Sequence, residues 1–420
     1  MYRNKEDVIL RNYDHAKAVY KDFDVDVDKA IEKFKTIPIS LHCWQGDDVK
    51  GFEDLGDVES QNVVTGSYPG AARNGDELRA DIEKAFSMSP AKHRVNLHSI
   101  YAEPKKPTPR NELTADDFNG WIEWAKEKDY GLDFNVSFFT HPMMVDGFSL
   151  ASRRKDVRDY WVKAGVGGRE ISYEIGKRLG TPCYHNIWVP DGLKDIPANR
   201  LVYRQNLIES LDRIFEKKLD RKYIRDVLEG KLFGIGIESF TVGSHEFYLA
   251  YAVKNGVGVC LDTGHYHPTE TAVDKITAVA PFVDDVLLHV SRGVRWDSDH
   301  VLIQGDELDA LMLEIKRGDF FDKIAIGLDF FDASINRVAA WVIGLRSAGK
   351  SILKALLEPT HLVEEAEANG DYTSRLALME EFKNLPFNAV WDYVCHTTGT
   401  YVGSTWLDEV KAYESGLNRN

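Results

Sequence analysis

The residues of this sequence best suited to chemistry lie in segment 289–300, which reads HVSRGVRWDSDH. It follows the apolar run 286–288, so we expect His289 at or near the end of a buried strand. Asp297 and Asp299 would point the same way in extended backbone. One imidazole and two carboxylates form a ligand set for a hard or borderline divalent ion. A polar loop with a solvated aspartate pair is the alternative, and this segment alone leaves both open.

Composition excludes several classes of protein. The chain has 420 residues, of which 43% are hydrophobic and 28% charged, as in an ordinary globular protein. Its net charge of −15 argues against a nucleic-acid partner, because phosphates are neutralised by a basic surplus. The four cysteines have no paired spacing, which predicts a reducing compartment and no disulfide framework or cysteine-based zinc site. With no signal peptide and no membrane-length apolar run, we expect a cytoplasmic protein without a membrane partner.

Short apolar segments alternate with helical stretches along the chain. Strands are predicted at 37–42, 94–100, 132–135, 184–189, 223–228, 257–261, 286–288 and 324–328. This alternation indicates βαβ units and a parallel sheet, and eight units predict a (β/α)8 TIM barrel. A doubly wound sheet is the alternative, which would spread the strand ends along a crevice.

The barrel is expected to occupy residues 37–350. Residues 1–36 have apolar positions at helical spacing and predict two N-terminal helices. Residues 351–420 predict a C-terminal helical extension that takes part in oligomer contacts. After the eighth strand, separate helices are predicted at 335–346 and 352–357. Segment 46–74 is rich in glycine and aspartate and lacks a helical period, which predicts a long loop that is functional or disordered.

Polar residues follow most of the predicted strands, and a barrel gathers such residues on one catalytic face. They are His98, Trp188, Glu229, Lys231, Asp262, His265, His289 and Asp329. Each also has a plain structural explanation. Glu229 or Asp329 could cap a helix, Asp262 could begin a turn, and His289 could be a hydrogen-bonded core histidine. Metal binding is favoured because the fifth to eighth strands each end in a group that can bind a metal. Buried carboxylates that face one barrel mouth would also repel each other without a cation.

The possible ligands exceed what one ion needs. They are Glu229, Asp262, Asp297, Asp299, Asp329, His265 and His289. Two ions sharing a carboxylate fit this number better, and the oxygen-rich set favours Mn²⁺, Mg²⁺, Co²⁺ or Zn²⁺. Glu229 and Lys231 share a face in extended backbone, so the ammonium could polarise a substrate oxygen, although a structural ion pair is the rival explanation. Glu238 competes as the fifth-strand ligand, and the Glu-x-Lys spacing favours Glu229.

Nine sequence blocks, in order along the chain, carry a family resemblance. They are LHCWQGDDVKGFE at 41–53, YPGAARN at 68–74, NLHSIY at 96–101, LDFN at 132–135, NIWVPDG at 186–192, LFGIGIESFTVGS at 232–244, LDTGHYHPTE at 261–270, LLHVSRGVRWDSDHV at 287–301 and IGLDFFDASINRVAAWVIG at 326–344. In these blocks the chain resembles the bacterial L-rhamnose isomerases. The resemblance implies a (β/α)8 barrel, a homotetramer, two divalent metals, and interconversion of L-rhamnose and L-rhamnulose.

The resemblance also implies a role for each candidate residue, and the chain departs from the family pattern at none of them. The structural metal would be bound by Glu229, Asp262, His289 and Asp329. The catalytic metal, expected to be Mn²⁺, would be bound by His265, Asp297 and Asp299, with Glu229 bridging both ions. Zn²⁺, Co²⁺ or Mg²⁺ could occupy either site. The substrate contacts would be Lys231, His98, Trp188 and Asp299, under a mobile loop that follows His42.

The isomerisation could proceed through an enediol or by a metal-assisted hydride shift. We expect the hydride shift, because ligation leaves few carboxylates free to act as a base. Asp329 would then take part in moving the oxygen-bound proton, Lys231 would stabilise charge on a sugar oxygen, and His98 would assist ring opening. A metal-dependent phosphodiesterase is disfavoured by the net charge. A non-catalytic sugar-binding protein is disfavoured because Lys231 and every catalytic-metal ligand are present.

Overall fold

Eight parallel strands close into a barrel in the computed structural model, which describes residues 5–54, 66–232 and 239–419. The strands are β1 (Pro38–Leu41), β2 (Lys92–His98), β3 (Gly131–Asn135), β4 (Cys183–Trp188), β5 (Ile224–Glu229), β6 (Gly258–Asp262), β7 (Val286–Val290) and β8 (Ile324–Leu328). Each strand pairs with its neighbours in sequence, and β8 pairs with β1. The predicted (β/α)8 barrel and its eight strands are confirmed, and the doubly wound alternative is wrong.

Helices surround the barrel and extend it at both ends of the chain. They are α1 (Glu6–Lys21), α2 (Val27–Thr36), α3 (Gly75–Phe86), α4 (Asn119–Glu127), α5 (Lys155–Leu179), α6 (Arg200–Ile214), α7 (His245–Asn255), α8 (Val273–Val279), α9 (Asp306–Arg317), α10 (Arg337–Leu356), α11 (Thr360–Ala368), α12 (Tyr372–Glu381), α13 (Phe387–Thr397) and α14 (Trp406–Gly416). The sequence patterns had not predicted α7, α8 or α9. Within the described ranges, no helix is long and apolar enough to cross a membrane.

Helix α10 corrects the prediction of two separate helices after β8. Small residues interrupt its sequence pattern near position 350, but Ser347 and Ser351 are buried within one continuous helix. Ser351 donates a hydrogen bond from its hydroxyl to Asp309 on α9 at 2.5 Å, so a small polar residue is what this contact requires. The helix crosses the predicted boundary at residue 350, and the division of the chain into three parts stays a prediction. Asn336 caps α10, accepting from the amide of Ala339, so the suggestion that Asp329 caps this helix is wrong.

Side chains along each strand point alternately to the outer core and to the barrel interior, where the site lies. Successive residues of a strand point to opposite sides. On β6, Val259 and Leu261 pack in the large core beneath the helices, whereas Cys260 packs with Val227 and Leu287 in a small separate cluster. Asp262, two residues beyond Cys260, is therefore the last inward-facing residue of its strand.

A buried ion pair ties the first four strands together. Arg94 on β2 binds Asp133 on β3, with 2.7 Å between Nη2 and Oδ1 and 3.0 Å between Nε and Oδ2. The hydroxyl of Ser40 on β1 donates to Asp133 at 2.7 Å, and the amide of Tyr184 on β4 donates to it at 2.9 Å. Asp133 thus accepts hydrogen bonds from three neighbouring strands, two residues before Asn135 at the site.

Replacing Arg94 with Met should lower the free energy of unfolding by about 3–5 kcal/mol, because it leaves the Asp133 carboxylate buried without its cation. Urea denaturation of the two proteins measures this difference. Adding Asp133→Asn to the variant should restore part of the loss. Arg11→Met is the matched control, since Arg11 pairs with Asp7 on an exposed surface and should change stability by less than about 1 kcal/mol. Equal effects of Arg94→Met and Arg11→Met would contradict the prediction.

Candidate active site

A cavity of about 510 Å³ opens at the carboxyl ends of the strands. Nine of the ten predicted site residues line it. They are His98, Trp188, Glu229, Lys231, His265, His289, Asp297, Asp299 and Asp329. The tenth, Asp262, is buried beside His265 and His289. The structure therefore brings all ten predicted residues to one place.

Four side chains form what we call the inner group. Glu229, Asp262, His289 and Asp329 come from β5, β6, β7 and the end of β8, and each offers a ligand atom within 4.8 Å of the others. The Nδ1 atom of His289 lies 3.3 Å from an oxygen of Asp329. It lies 3.6 Å from oxygens of both Glu229 and Asp262. These are the same four residues that the resemblance assigned to the structural metal.

The outer group consists of Asp262, His265 and Asp297, whose ligand atoms also lie within 4.8 Å of one another. The Nε2 atom of His265 is 3.5 Å from Asp297 Oδ2 and 3.9 Å from Asp262 Oδ2. Asp262 therefore belongs to both groups, the position that the resemblance gave to Glu229. Glu229 Oε1 lies 3.2 Å from His265 Nδ1, which also faces the carbonyl of Gly230.

The two groups have the chemistry of metal sites. Among the described residues, His289 Nδ1 and Asp297 Oδ1 are buried and have no hydrogen-bond partner. Buried polar atoms are nearly always paired, so unpaired atoms aimed at clustered carboxylates indicate a bound cation. Carboxylate and imidazole donors suit a divalent ion of the Mn²⁺, Mg²⁺, Co²⁺ or Zn²⁺ kind. The residues present fit the metals that the resemblance implies.

The carboxyl groups of the cluster differ in pKa, two being lowered and two raised. Burial opposes ionisation of Glu229, but His289 and His265 outweigh burial and lower its pKa to about 2. The pKa of Asp297 is also lowered, since His265 and Lys231 outweigh its burial. Burial raises the pKa of Asp299 well above its usual range, and the charge of Asp297 adds to this. Burial likewise raises the pKa of Asp329 to about 6, against the effect of His289.

Asp297 and Asp299 reach the cavity because of the bend that precedes them. The backbones of Arg292 and His300 pair across the bend, with N to O distances of 3.2 and 3.3 Å. Arg295 and Asp299 adopt positive φ angles of 76° and 46°, which non-glycine residues seldom do. Gly264 packs against the Asp297 carboxylate. A Cβ at position 264 would lie 2.2 Å from an oxygen of Asp297, so glycine leaves the room that this carboxylate needs.

Lys231 and Trp188 form one wall of the cavity. The Nζ atom of Lys231 is 2.8 Å from Asp297 Oδ2 and 5.5 Å from the centre of the Trp188 ring. Burial disfavours the lysine cation, but the charge of Asp297 outweighs it and raises the lysine pKa. Phe139 packs edge-on against Trp188 with 5.4 Å between ring centroids. An ammonium group thus stands over an aromatic face in this wall of the cavity.

His98 lies on the opposite, uncharged side. Its Nδ1 atom is 3.0 Å from the hydroxyl of Ser137, which leaves Nε2 as the nitrogen available to a ligand. Burial lowers the pKa of His98 to about 3, with further lowering from His289 and Arg110, so the ring is neutral at physiological pH.

Sequence reasoning missed several polar residues of the site. They are His42, Asn96, Asn135 and Asn186. The amide nitrogen of Asn186 donates to Glu229 Oε2 at 2.5 Å. Each lies at or within two residues of a strand end, and that position was the signal that could have found them.

The loop after His42 is described only at its two ends. Asp47 accepts hydrogen bonds from the Tyr101 hydroxyl at 2.7 Å and from the Gly51 amide at 2.8 Å. The amide of Phe52 donates to the carbonyl of Ile100 at 2.6 Å. Residues 55–65 of this loop and the competing Glu238 lie outside the described residues.

The barrel, its cavity and the two ligand groups together define a barrel enzyme of the metal-dependent class. Comparison with known proteins narrows this class. Residues 8–419 match the family model of L-rhamnose isomerase (RhaA). The chain belongs to the L-rhamnose isomerase family.

Individual relatives of high sequence identity are also named L-rhamnose isomerase. An L-rhamnose isomerase from Pectobacterium carotovorum subsp. carotovorum (strain PC1) is 52% identical over 403 residues, covering 96% of each chain. One from Listeria monocytogenes serotype 4a (strain HCC23) is 50% identical over 414 residues, covering 98% of this chain and 99% of that protein. A solved D-psicose 3-epimerase from Clostridium cellulolyticum H10 has a TM-score of 0.44 and 12% identity, covering 77% of this chain and 98% of its own. That last likeness is too weak to bear on function.

Replacing Asp297 with Asn should lower kcat/KM by more than about 100-fold, because it removes a carboxylate from the outer group and the partner of Lys231. The fold and metal binding by the inner group should persist. Elemental analysis of metal content, circular dichroism and a ketose-forming assay measure the three properties. Asp306→Asn, on the exposed first turn of α9, is the matched control. Unfolding of the Asp297 variant at ordinary temperature, or loss of both metals, would show that the two groups are not separate.

Proposed function

We propose that this protein is an aldose–ketose isomerase that interconverts L-rhamnose and L-rhamnulose by metal-assisted hydrogen transfer between C1 and C2. The observation that carries the proposal is the placement of two ligand groups, a lysine and a neutral histidine around one cavity. Membership of the L-rhamnose isomerase family supports the choice of sugar.

We assign a structural metal to the inner group, bound by Glu229, Asp262, His289 and Asp329. The catalytic metal would be bound by His265, Asp297 and Asp299, with a carboxylate shared between the ions. Glu229 and Asp262 both lie close enough to His265 for this sharing. We propose Mn²⁺ at the catalytic site, while Zn²⁺, Co²⁺ or Mg²⁺ could occupy either. When bound, the two ions would polarise the sugar oxygens O1 and O2 and stabilise the charge that develops there.

Lys231 would donate a hydrogen bond to a sugar oxygen on which negative charge develops. Its ammonium is buried and already oriented by Asp297, so little reorganisation is needed when charge appears. Trp188 would pack against the sugar and keep water from this side. Asp299 would contact a sugar hydroxyl, since it lines the cavity.

His98 would assist opening of the sugar ring. Its low pKa keeps the ring neutral, so the ring can accept a hydrogen bond from a sugar hydroxyl or donate one without carrying a charge. The hydrogen bond to Ser137 holds the ring in place, which keeps Nε2 directed at a ligand.

Hydrogen transfer then requires one carbon-bound hydrogen and one oxygen-bound proton to move. The hydrogen leaves C2 with its electron pair and bonds to C1, while the proton passes from O2 to O1, so the product is the ketose isomer. Asp329 would take part in moving this proton, because it lines the cavity beside His289.

We further propose that the protein is a cytoplasmic homotetramer. Helix α12 buries none of its residues in the single chain, and Tyr372 and Leu376 are 61% and 59% exposed on it. Large apolar side chains exposed in this way favour a contact between subunits. The four cysteines are free and buried, which agrees with a reducing compartment.

A panel of aldoses tests the proposed activity. Metal-stripped protein should form no ketose, and adding Mn²⁺ should restore activity with L-rhamnose. Ketose formation is followed colorimetrically for each sugar, with untreated protein as the reference. Full activity after chelation, or hydrolysis of a phosphodiester without any aldose turnover, would contradict the proposal. Sugar binding without turnover in reloaded protein would favour a binding protein instead.

Isotope retention tests the route of hydrogen transfer. With L-rhamnose deuterated at C2, a hydride shift should deliver most of the deuterium to C1 of the product, because this hydrogen never meets solvent. Mass spectrometry of the ketose after partial conversion in ordinary water measures the retained label. Extensive exchange of the label with solvent would favour an enediol and a protein base.

A further inference from the structure

His42 and His289 contact each other through their ring nitrogens. The Nδ1 atom of His42 lies 3.0 Å from Nε2 of His289, with 4.5 Å between ring centroids. Both rings are buried, with 2% and 3% of each residue exposed. A hydrogen bond between two imidazole nitrogens needs one proton between them, so the tautomers of the two rings depend on each other.

The other nitrogen of His289 decides which ring donates. Its Nδ1 atom faces the carboxylate oxygens of the inner group and has no hydrogen-bond partner among the described residues. A histidine nitrogen that binds a metal offers a lone pair, and the remaining nitrogen carries the hydrogen. The Nε2 atom of His289 would then donate, and Nδ1 of His42 would accept. His42 would carry its own hydrogen on Nε2.

Three strands together build this contact. The backbone amide of His42, just beyond β1, donates to the carbonyl of Leu328 on β8 at 2.9 Å. Gly327 on β8 is the register partner of His289 on β7. A Cβ on Gly327 would lie 2.7 Å from Cδ2 of His42 and 3.2 Å from Cδ2 of His289. Glycine at this position therefore leaves space where the two rings meet.

We propose that His42 is a positioning residue of the inner group, which accepts the Nε2 hydrogen bond of His289 and so presents the unprotonated Nδ1 of His289 to the metal. The inference rests on the proposed metal-dependent function. Partners of this kind fix the tautomer and the orientation of a ligand histidine, and their removal typically weakens metal binding by about 10–100-fold.

Two variants, His42→Asn and His42→Leu, test the role of His42 as a hydrogen-bond acceptor, because their side chains have nearly equal shape. Asn at position 42 keeps an oxygen acceptor near the position of Nδ1, whereas Leu does not. His42→Leu should weaken binding of one of two Zn²⁺ ions by about 10–100-fold in chelator competition. His42→Asn should bind both ions with affinities close to those of the unmodified protein. Two outcomes would overturn the proposal: unchanged affinity in His42→Leu, or an equal loss in both variants.

A measurement on the unmodified protein does not depend on the folding of a variant. In Zn²⁺-loaded protein labelled with ¹⁵N-histidine, His42 should show an unprotonated Nδ1 and a protonated Nε2. Signals of His42 are assigned by their absence from His42→Asn. A proton on Nδ1 of His42 would overturn the inference. If the unmodified protein bound no Zn²⁺, the proposed metal-dependent function would fail first, so the two failures are distinguishable.

Discussion

The structure of the site depends on the repulsion among carboxylates that the barrel holds together away from water. Glu229, Asp262, Asp329 and Asp297 lie in two overlapping groups together with the imidazoles of His265 and His289, and the ammonium of Lys231 is beside Asp297. Like charges at such distances in a buried site cannot all stay ionised without a cation. Burial opposes ionisation and, with the repulsion, raises the pKa values of Asp299 and Asp329, whereas the neighbouring imidazoles and Lys231 lower those of Glu229 and Asp297. A rigid scaffold is needed to oppose the repulsion, and a closed ladder of parallel strands provides it.

The barrel mouth has two chemically different halves. Strands β5 to β8 contribute the carboxylates, whereas β2 to β4 contribute neutral groups, namely Asn96, His98, Asn135 and Asn186. Register places His98 beside Asn135, and Asn135 beside Asn186, so the neutral half is continuous. The Asn186 amide joins the halves through its hydrogen bond to Glu229. A sugar is uncharged and rich in hydroxyls, so one half can hold the metals while the other offers hydrogen bonds without adding charge.

Much of this arrangement could be predicted from the sequence, because its signals are local. Short apolar runs identified all eight strands, and the polar residues that follow most of these runs identified the site. The asparagines were missed because a neutral amide beside a strand end is a weaker sign of a metal site than a carboxylate. The sharing of Asp262 between both groups could not be predicted either, because it depends on how two neighbouring side chains are oriented across β5 and β6. Helix α10 was divided wrongly because its small residues are there for packing, a reason that only the tertiary contacts provide.

One buried cation links Glu53, at the described end of the loop after His42, to the neutral half of the site. Arg110 binds Glu53 at 2.6 Å between Nη2 and Oε2, and it donates to the carbonyls of Ser137 and Phe139. Ser137 holds His98, Phe139 packs against Trp188, and Glu53 lies at the described end of the loop. Ser137 also has a positive φ of 61°, a strained conformation that persists only when surrounding contacts hold it. The guanidinium therefore fixes the segment that positions His98 and its aromatic neighbour. Since the same group binds Glu53, the position of this end of the loop is linked to the positions of His98 and Phe139.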